Sequence, residues 1–124
     1  MSQDVATQDV AVLDKELNDM ILSGQAMEAF EKFYAEDCVM RENSGEPRVG
    51  KAANREYEEK FFASVEDFHG AELVGSAVTG EKSYSEWLWD VTLKGAGRVQ
   101  MEQVAARTWR DGQVAEERFY YNAG

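Results

Sequence analysis

The spacing of apolar residues changes from a helical period to a strand period near Phe68, and this change restricts the fold more than any other feature of the chain. Before it, apolar residues recur at steps of three and four, which predicts helices after Val10, Ala26 and Gly50. After it, the period is two, which predicts strands. Helices followed by a run of strands indicate an α+β domain.

Four strands are predicted in the second half, over 72–79, 83–93, 98–110 and 113–121, and a short one over 39–41 follows the second helix. Turns separate them at Gly80–Glu81, Gly95–Gly97 and Asp111–Gly112, and an Asp-Gly pair is a strong signal for a two-residue hairpin. His69 is expected near the end of the third helix as a surface or capping residue. Strands joined in order by short turns predict an antiparallel sheet with the helices on one face.

Length and charge limit the possible partners. The chain has 124 residues, which predicts one domain over 1–124, with tails at 1–7 and 123–124. Its net charge of -11 repels phosphate backbones and anionic lipid, so we expect no nucleic acid and no membrane partner. The first residues have neither a basic start nor an apolar run, and no apolar stretch is long enough to span a membrane. The expected location is cytoplasmic.

Metal and cofactor chemistry is not indicated. Cys38 is the only cysteine and His69 the only histidine, so no zinc site and no disulfide are predicted, and Cys38 is expected to be a buried structural residue. Gly95–Gly97 lies in a hairpin and not before a helix, which excludes a phosphate loop there. We expect no metal and no cofactor.

Three short motifs carry a family resemblance. They are Tyr-Ala-Glu-Asp at 34–37, Glu-Pro-Arg at 46–48 with Gly50, and Asp-Gly-Gln-Val at 111–114 with Arg118 and Tyr120. The chain resembles the nuclear transport factor 2-like superfamily, which includes ketosteroid isomerases and SnoaL-like polyketide cyclases. The resemblance covers about 10–122 and implies a cone-shaped α+β barrel, in which three N-terminal helices pack on a strongly curved antiparallel sheet.

The resemblance also implies roles for single residues. Glu42 falls where ketosteroid isomerases have their proton-abstracting aspartate, so it is the candidate general base, with Glu102 as its partner acid. The tyrosine and the protonated aspartate of their oxyanion hole fall near Asn18 and Ala106, which cannot replace them. Asn122 stands where the cyclases have an acid/base aspartate, and an amide cannot transfer a proton. Isomerase and cyclase activity of the known types are therefore not implied.

The resemblance further implies an aromatic cavity on the concave face of the sheet. Its predicted ligand-pocket residues are Tyr57, Phe61, Trp87, Trp89, Val104, Glu117, Phe119 and Tyr121. Such a pocket suits a small apolar or aromatic ligand, and apolar walls raise the pKa of a carboxyl group toward the range useful for catalysis. The alternatives stay open at this point: the aromatic residues can simply be core, and Glu102 can form an ion pair with Arg107 or Arg118.

Two functions remain from the sequence. One is a small-molecule-binding protein with cofactor-free acid/base chemistry of the isomerase, cyclase or hydrolase type, and the other is a non-catalytic binding or interaction module of the same fold. A cavity of about 300 Å³ or more beside Glu42 favours the first function. Both faces of the strand over 98–110 carry apolar residues, which predicts a homodimer through the outer face of the sheet. The residues predicted there are Met101, Gln103, Arg107 and Trp109.

Overall fold

The computed structural model describes residues 9–122, which form three helices and six strands. The helices are α1 (Val10–Leu22), α2 (Ala26–Phe33) and α3 (Lys51–Ala63). The strands are β1 (Tyr34–Glu42), β2 (Arg48–Val49), β3 (Val65–Thr79), β4 (Lys82–Leu93), β5 (Gly97–Arg110) and β6 (Gln113–Tyr121). The predicted α+β class is confirmed. No helix within 9–122 is long and apolar enough to cross a membrane.

The strands form one sheet in the order β2-β1-β6-β5-β4-β3. Every neighbouring pair is antiparallel except β1 and β6, which run parallel, so the sheet is mostly and not wholly antiparallel. The sheet curls without closing, and the helices lie against its concave face, as in the nuclear transport factor 2-like cone fold. The cone predicted from the sequence is confirmed.

Local sequence explains where several elements begin and end. Asp9 caps α1, because its carboxylate accepts a hydrogen bond from the Ala11 amide at 2.9 Å. Asp111 and Gly112 both have positive φ, at 54° and 79°, which is the conformation of the predicted two-residue hairpin. The third helix ends at Ala63, and β3 starts earlier than predicted. His69 therefore lies in β3, exposed, with Nε2 2.8 Å from the Thr92 hydroxyl, and its placement at a helix end is wrong.

The apolar core fills one end of the cone. It joins α1, α2 and β1 to the hairpin end of β5 and β6, and its buried residues include Leu17, Phe30, Phe33 and Trp109. Cys38 is fully buried in this cluster, as the sequence predicted. The opposite end of the concave face, which α3 partly covers, is less completely filled.

Candidate functional site

A cavity of about 550 Å³ lies between the helices and the concave face of the sheet. Eight of the ten residues predicted for the site line it: Glu42, Tyr57, Phe61, Trp87, Trp89, Glu117, Phe119 and Tyr121. The two indole rings of β4 are stacked in its wall with their centres 5.1 Å apart. The aromatic residues therefore form the wall of an open cavity and do not fill it.

Glu102 and Val104 do not line the cavity, and their placement there is wrong. In the pairing of β4 with β5, Glu102 lies opposite Leu88 and Val104 opposite Glu86, so both share the convex face with these residues. Residues directly opposite Trp87 and Trp89 are Gln103 and Met101, which line the cavity. Glu102 is exposed and cannot serve as an acid in this cavity.

The residues predicted for the outer face are displaced for the same reason. Met101 and Gln103 line the cavity, while Arg107 and Trp109 are each only 1% exposed inside the fold. β5 pairs with β4 without a break, so its odd-numbered residues share the inner face with Trp87, which lies opposite Gln103. A β-bulge in β6, where Thr108 pairs with Glu116 but Trp109 pairs with Val114, then brings Glu117 to the same inner face.

Glu42 stands at the end of β1 with both carboxylate oxygens engaged. Oε2 accepts a hydrogen bond from Arg48 Nη2 at 2.9 Å, and Oε1 accepts one from the Tyr121 hydroxyl at 3.0 Å. The Arg48 guanidinium also lies 3.5 Å from the ring centre of Tyr57 and donates from Nε to the Asn54 side chain at 3.1 Å. Asn54 is fully buried, so it fixes Arg48 and, through it, Glu42.

The two tyrosines near Glu42 stay protonated over a wide pH range. Burial, followed by the charge of Glu42 and the hydrogen bond to it, raises the pKa of Tyr121 to about 12. Burial and then the charge of Glu42 also raise the pKa of Tyr57. Both side chains therefore present neutral hydroxyl groups to the cavity at any physiological pH.

A second polar cluster lies deeper, around the buried Arg107. Its Nη1 donates to Asp14 Oδ1 at 2.7 Å and its Nε donates to Glu117 Oε2 at 2.9 Å. The Tyr34 hydroxyl donates to the other oxygen of Glu117, and burial and then the charge of Glu117 raise the pKa of Tyr34 well above its usual value. Asn18 accepts from Arg107 at 2.9 Å, so it is a structural member of this cluster.

Glu58 is the functional candidate that the sequence analysis missed. It lies on α3 and lines the cavity, and no hydrogen bond or ion pair engages its carboxyl group among residues 9–122. Burial, then the charges of Glu117 and Glu42, raise its pKa to about 7, and Arg48 opposes this only in part. The signal was present in the sequence: Glu58 falls four residues after Asn54 and three before Phe61, on the same face of α3.

This arrangement can bind and exchange protons with a small molecule. A carboxyl group with a pKa near 7 is half ionised at neutral pH, which suits a general acid or base. Within the described part of the chain no group of three or more histidine, cysteine, aspartate or glutamate side chains could hold a metal ion.

Comparisons with known proteins agree with the fold. The family model for the SnoaL-like domain matches residues 5–121. A search of curated proteins gave no match. Among solved structures, a protein from Mesorhizobium loti described as a SnoaL-like polyketide cyclase is 30% identical over 92% of this chain and 100% of its own, with a TM-score of 0.85.

Two more distant structures share the fold. A protein from Jannaschia sp. CCS1 described as a SnoaL-like polyketide cyclase is 13% identical over 90% of this chain and 86% of its own, with a TM-score of 0.78. A protein of ketosteroid isomerase-like fold from Catenulispora acidiphila, solved in complex with trimethylamine, is 14% identical over 94% of this chain and 88% of its own, with a TM-score of 0.72. With the family model matched over nearly its whole length, the chain belongs to the SnoaL-like domain family.

Proposed function

We propose that this protein binds a compact, largely apolar molecule in its cavity and exchanges a proton with it without a cofactor, with Glu58 as the group that carries the proton. One observation carries the proposal: a carboxyl group without a partner among the described residues, with a pKa of about 7, lines an apolar cavity of about 550 Å³. A cavity of this size accommodates typical small ligands.

Glu58 is better suited to proton transfer than Glu42, although the resemblance places Glu42 where ketosteroid isomerases have their proton-abstracting aspartate. Each oxygen of Glu42 already accepts a hydrogen bond, from Arg48 or from Tyr121, whereas the carboxyl group of Glu58 has no hydrogen-bond or ion-pair partner among the described residues. In this proposal Glu42 supplies a fixed negative charge that helps to raise the pKa of Glu58. Glu42 as the base remains the alternative assignment.

The test measures proton exchange at the carbon atoms beside the carbonyl group of small ketones. A panel of compact enolisable ketones, differing in size and charge, is incubated with the protein in deuterated water, and deuterium uptake beside the carbonyl is followed by NMR. Glu58→Gln should lower the rate on any active ketone by about 10²–10⁴-fold, the usual value of general acid/base catalysis. In the unmodified protein kcat/KM should rise with pH through about 7, because the base form of Glu58 increases there.

Matched variants distinguish whether Glu58 or Glu42 is the base. Glu42→Gln should reduce the rate less than Glu58→Gln, and the reverse order would identify Glu42 as the base. Glu102→Gln removes the same charge from the exposed convex face, so it should leave the rate unchanged. If Glu58→Gln exchanges at the unmodified rate, proton transfer by Glu58 is excluded.

A non-catalytic binding protein is the second candidate, and a specific observation favours it. Asn18, at the position of the missing oxyanion tyrosine, donates to Ser85 at 2.9 Å and accepts from Arg107, so it has no free donor for a ligand oxygen. Ala106 lies opposite Arg118 on β6 and has no side-chain donor at all. Ligand binding without exchange on any ketone of the panel would support this candidate.

A further inference from the structure

The charge of the cavity wall is unbalanced toward negative. Among the described lining residues, four carry carboxyl groups (Glu42, Glu58, Glu66 and Glu117) and one, Arg107, carries a guanidinium. Arg107 is not free to meet a ligand, because it is almost completely buried and donates to Glu117 and to Asp14. An anionic ligand would therefore find no unpaired cation in this wall, and a cationic one would find an unpaired carboxyl.

The pairing of the other acidic groups leaves Glu58 as the group that can receive a positive charge. Glu42 is paired with Arg48 at 2.9 Å and Glu117 with Arg107 at 2.9 Å. Glu66 is exposed at the start of β3, where water solvates it. Glu58 is partly buried and has no cationic partner in the described chain. Burying a carboxylate without a partner is unfavourable, so a cation that enters beside it is stabilised.

The aromatic wall favours the same kind of ligand. Trp87 and Trp89 are stacked with an interplanar angle of 23°, and Trp89 donates its ring N–H to Gln103 at 3.2 Å. Phe61, Phe119 and Tyr57 line the same cavity. Faces of aromatic rings attract ammonium groups, and the attraction strengthens when water is excluded. Groups of aromatic side chains commonly recognise quaternary ammonium ligands in this way.

We propose that the ligand of this cavity is an organic amine in its cationic form, with its ammonium group beside Glu58 and its apolar part against the tryptophan wall. This inference rests on the proposed function, because it names the chemical class of the molecule that the cavity binds. Binding of the cation would directly change the protonation of Glu58. Glu58 is about half protonated near pH 7, so the arrival of a cation displaces its remaining proton into solution.

Glu117, Glu42 and Arg48 act electrostatically on Glu58. The other ionisable groups that line the same cavity are Tyr34 of β1, Tyr57 of α3, Glu66 of β3, Arg107 of β5 and Tyr121 of β6. The pKa values of the three tyrosines are all raised from 10, so none of them loses a proton between pH 6 and 8. Glu58 is the group expected to release the proton, and a glutamine variant tests that assignment.

The experiment compares two molecules of equal shape. Benzyltrimethylammonium has a permanent charge and no proton of its own, and neopentylbenzene is its neutral isostere. Calorimetry in two buffers of different ionisation enthalpy measures the protons released on binding. At pH 7 the cation should release about half a proton, and its affinity should rise about tenfold between pH 6 and 8 as Glu58 ionises. The isostere should release none, and its affinity should not rise.

Two variants test whether Glu58 causes the proton release and the pH dependence of cation binding. Glu58→Gln should abolish the proton release and the pH dependence of cation binding, while Glu102→Gln on the convex face should retain both. Proton release by the unmodified protein needs no variant, so a folding defect in Glu58→Gln would leave the main measurement intact.

The outcomes distinguish this inference from the function on which it rests. Binding of the isostere with no binding of the cation would refute the amine proposal and leave small-molecule binding in place. Binding of the cation without proton release would refute the pairing with Glu58. Failure of both probes to bind would overturn the amine proposal together with the proposed ligand-binding cavity.

Discussion

Replacing Glu58 with glutamine should stabilise the protein, and the gain should grow as the pH rises from 4.5 to 7. The pKa of Glu58 is raised from 4.5 to about 7, so the folded state holds this proton more tightly than the unfolded state. The stability that Glu58 contributes is therefore complete below pH 4.5 and is lost as the pH rises through 7. Glutamine has no charge, so the variant does not lose this stability.

The size of the gain follows from the same values. One pKa unit corresponds to about 1.4 kcal/mol, so the full rise corresponds to about 3 kcal/mol above pH 7. Because Glu58 is only partly buried, solvent screening reduces the expected gain to about 2 kcal/mol. For a chain of this size that corresponds to an increase in Tm of about 5–10 °C.

Urea unfolding at pH 4.5, 6 and 8 tests the prediction. The difference between Glu58→Gln and the unmodified protein should be near zero at pH 4.5 and largest at pH 8. Glu102→Gln, an exposed glutamate on the convex face, should show no comparable pH-dependent difference. A gain from Glu58→Gln that is the same at every pH would refute the burial and charge argument.

Two further predictions concern the interior and the outer face. Arg107→Met should lower the free energy of unfolding by about 3–5 kcal/mol, because two buried carboxylates lose their partner. Arg110 forms an exposed ion pair, so Arg110→Met should lower it by less than about 1 kcal/mol. Urea unfolding measures both changes, and equal losses would contradict this account. The predicted homodimer is now expected to form through the convex face, where Val104 lies opposite the exposed Tyr120. Val104→Glu should convert it to a monomer, whereas Val12→Glu on α1 should not. Light scattering that finds the unmodified protein monomeric at micromolar concentration would exclude the dimer.

Much of the fold could be predicted because its signals are local. Helical spacing, alternation in the strands and the Asp111–Gly112 turn are each contained within a few residues. The family resemblance implied that Glu117, Phe119 and Tyr121 share the concave face, and the alternation of side chains along one strand agrees with this. The pairing of β1 with β6 could not be predicted in this way, because it joins segments far apart in sequence and runs parallel.

The error on β5 has a definite physical origin. A regular two-residue hairpin at Asp111–Gly112 would place Glu102 opposite Tyr121 and Val104 opposite Phe119, and so on the concave face where the sequence analysis expected them. The bulge shifts the pairing by one, so that Gln103 lies opposite Tyr121. The composition of β5 did not indicate which of its faces lies inward, because the inward face carries a buried arginine and a glutamine and is therefore partly polar.

The face that β5 turns inward also determines the charge of the site. With the opposite face inward, Glu102 would enter the cavity and Arg107 would face outward, so the cavity would have one more carboxylate and no buried cation. In the observed register Arg107 turns inward and pairs with Glu117 and Asp14, while Glu102 is moved to solvent. Since Arg48 pairs with Glu42, Glu58 is the partly buried acid in the described wall that forms no ion pair. The pairing of β5 with β4 and β6 thus leaves Glu58 as a partly buried carboxyl without an ion pair, which is the group that the proposed proton exchange and ligand binding require.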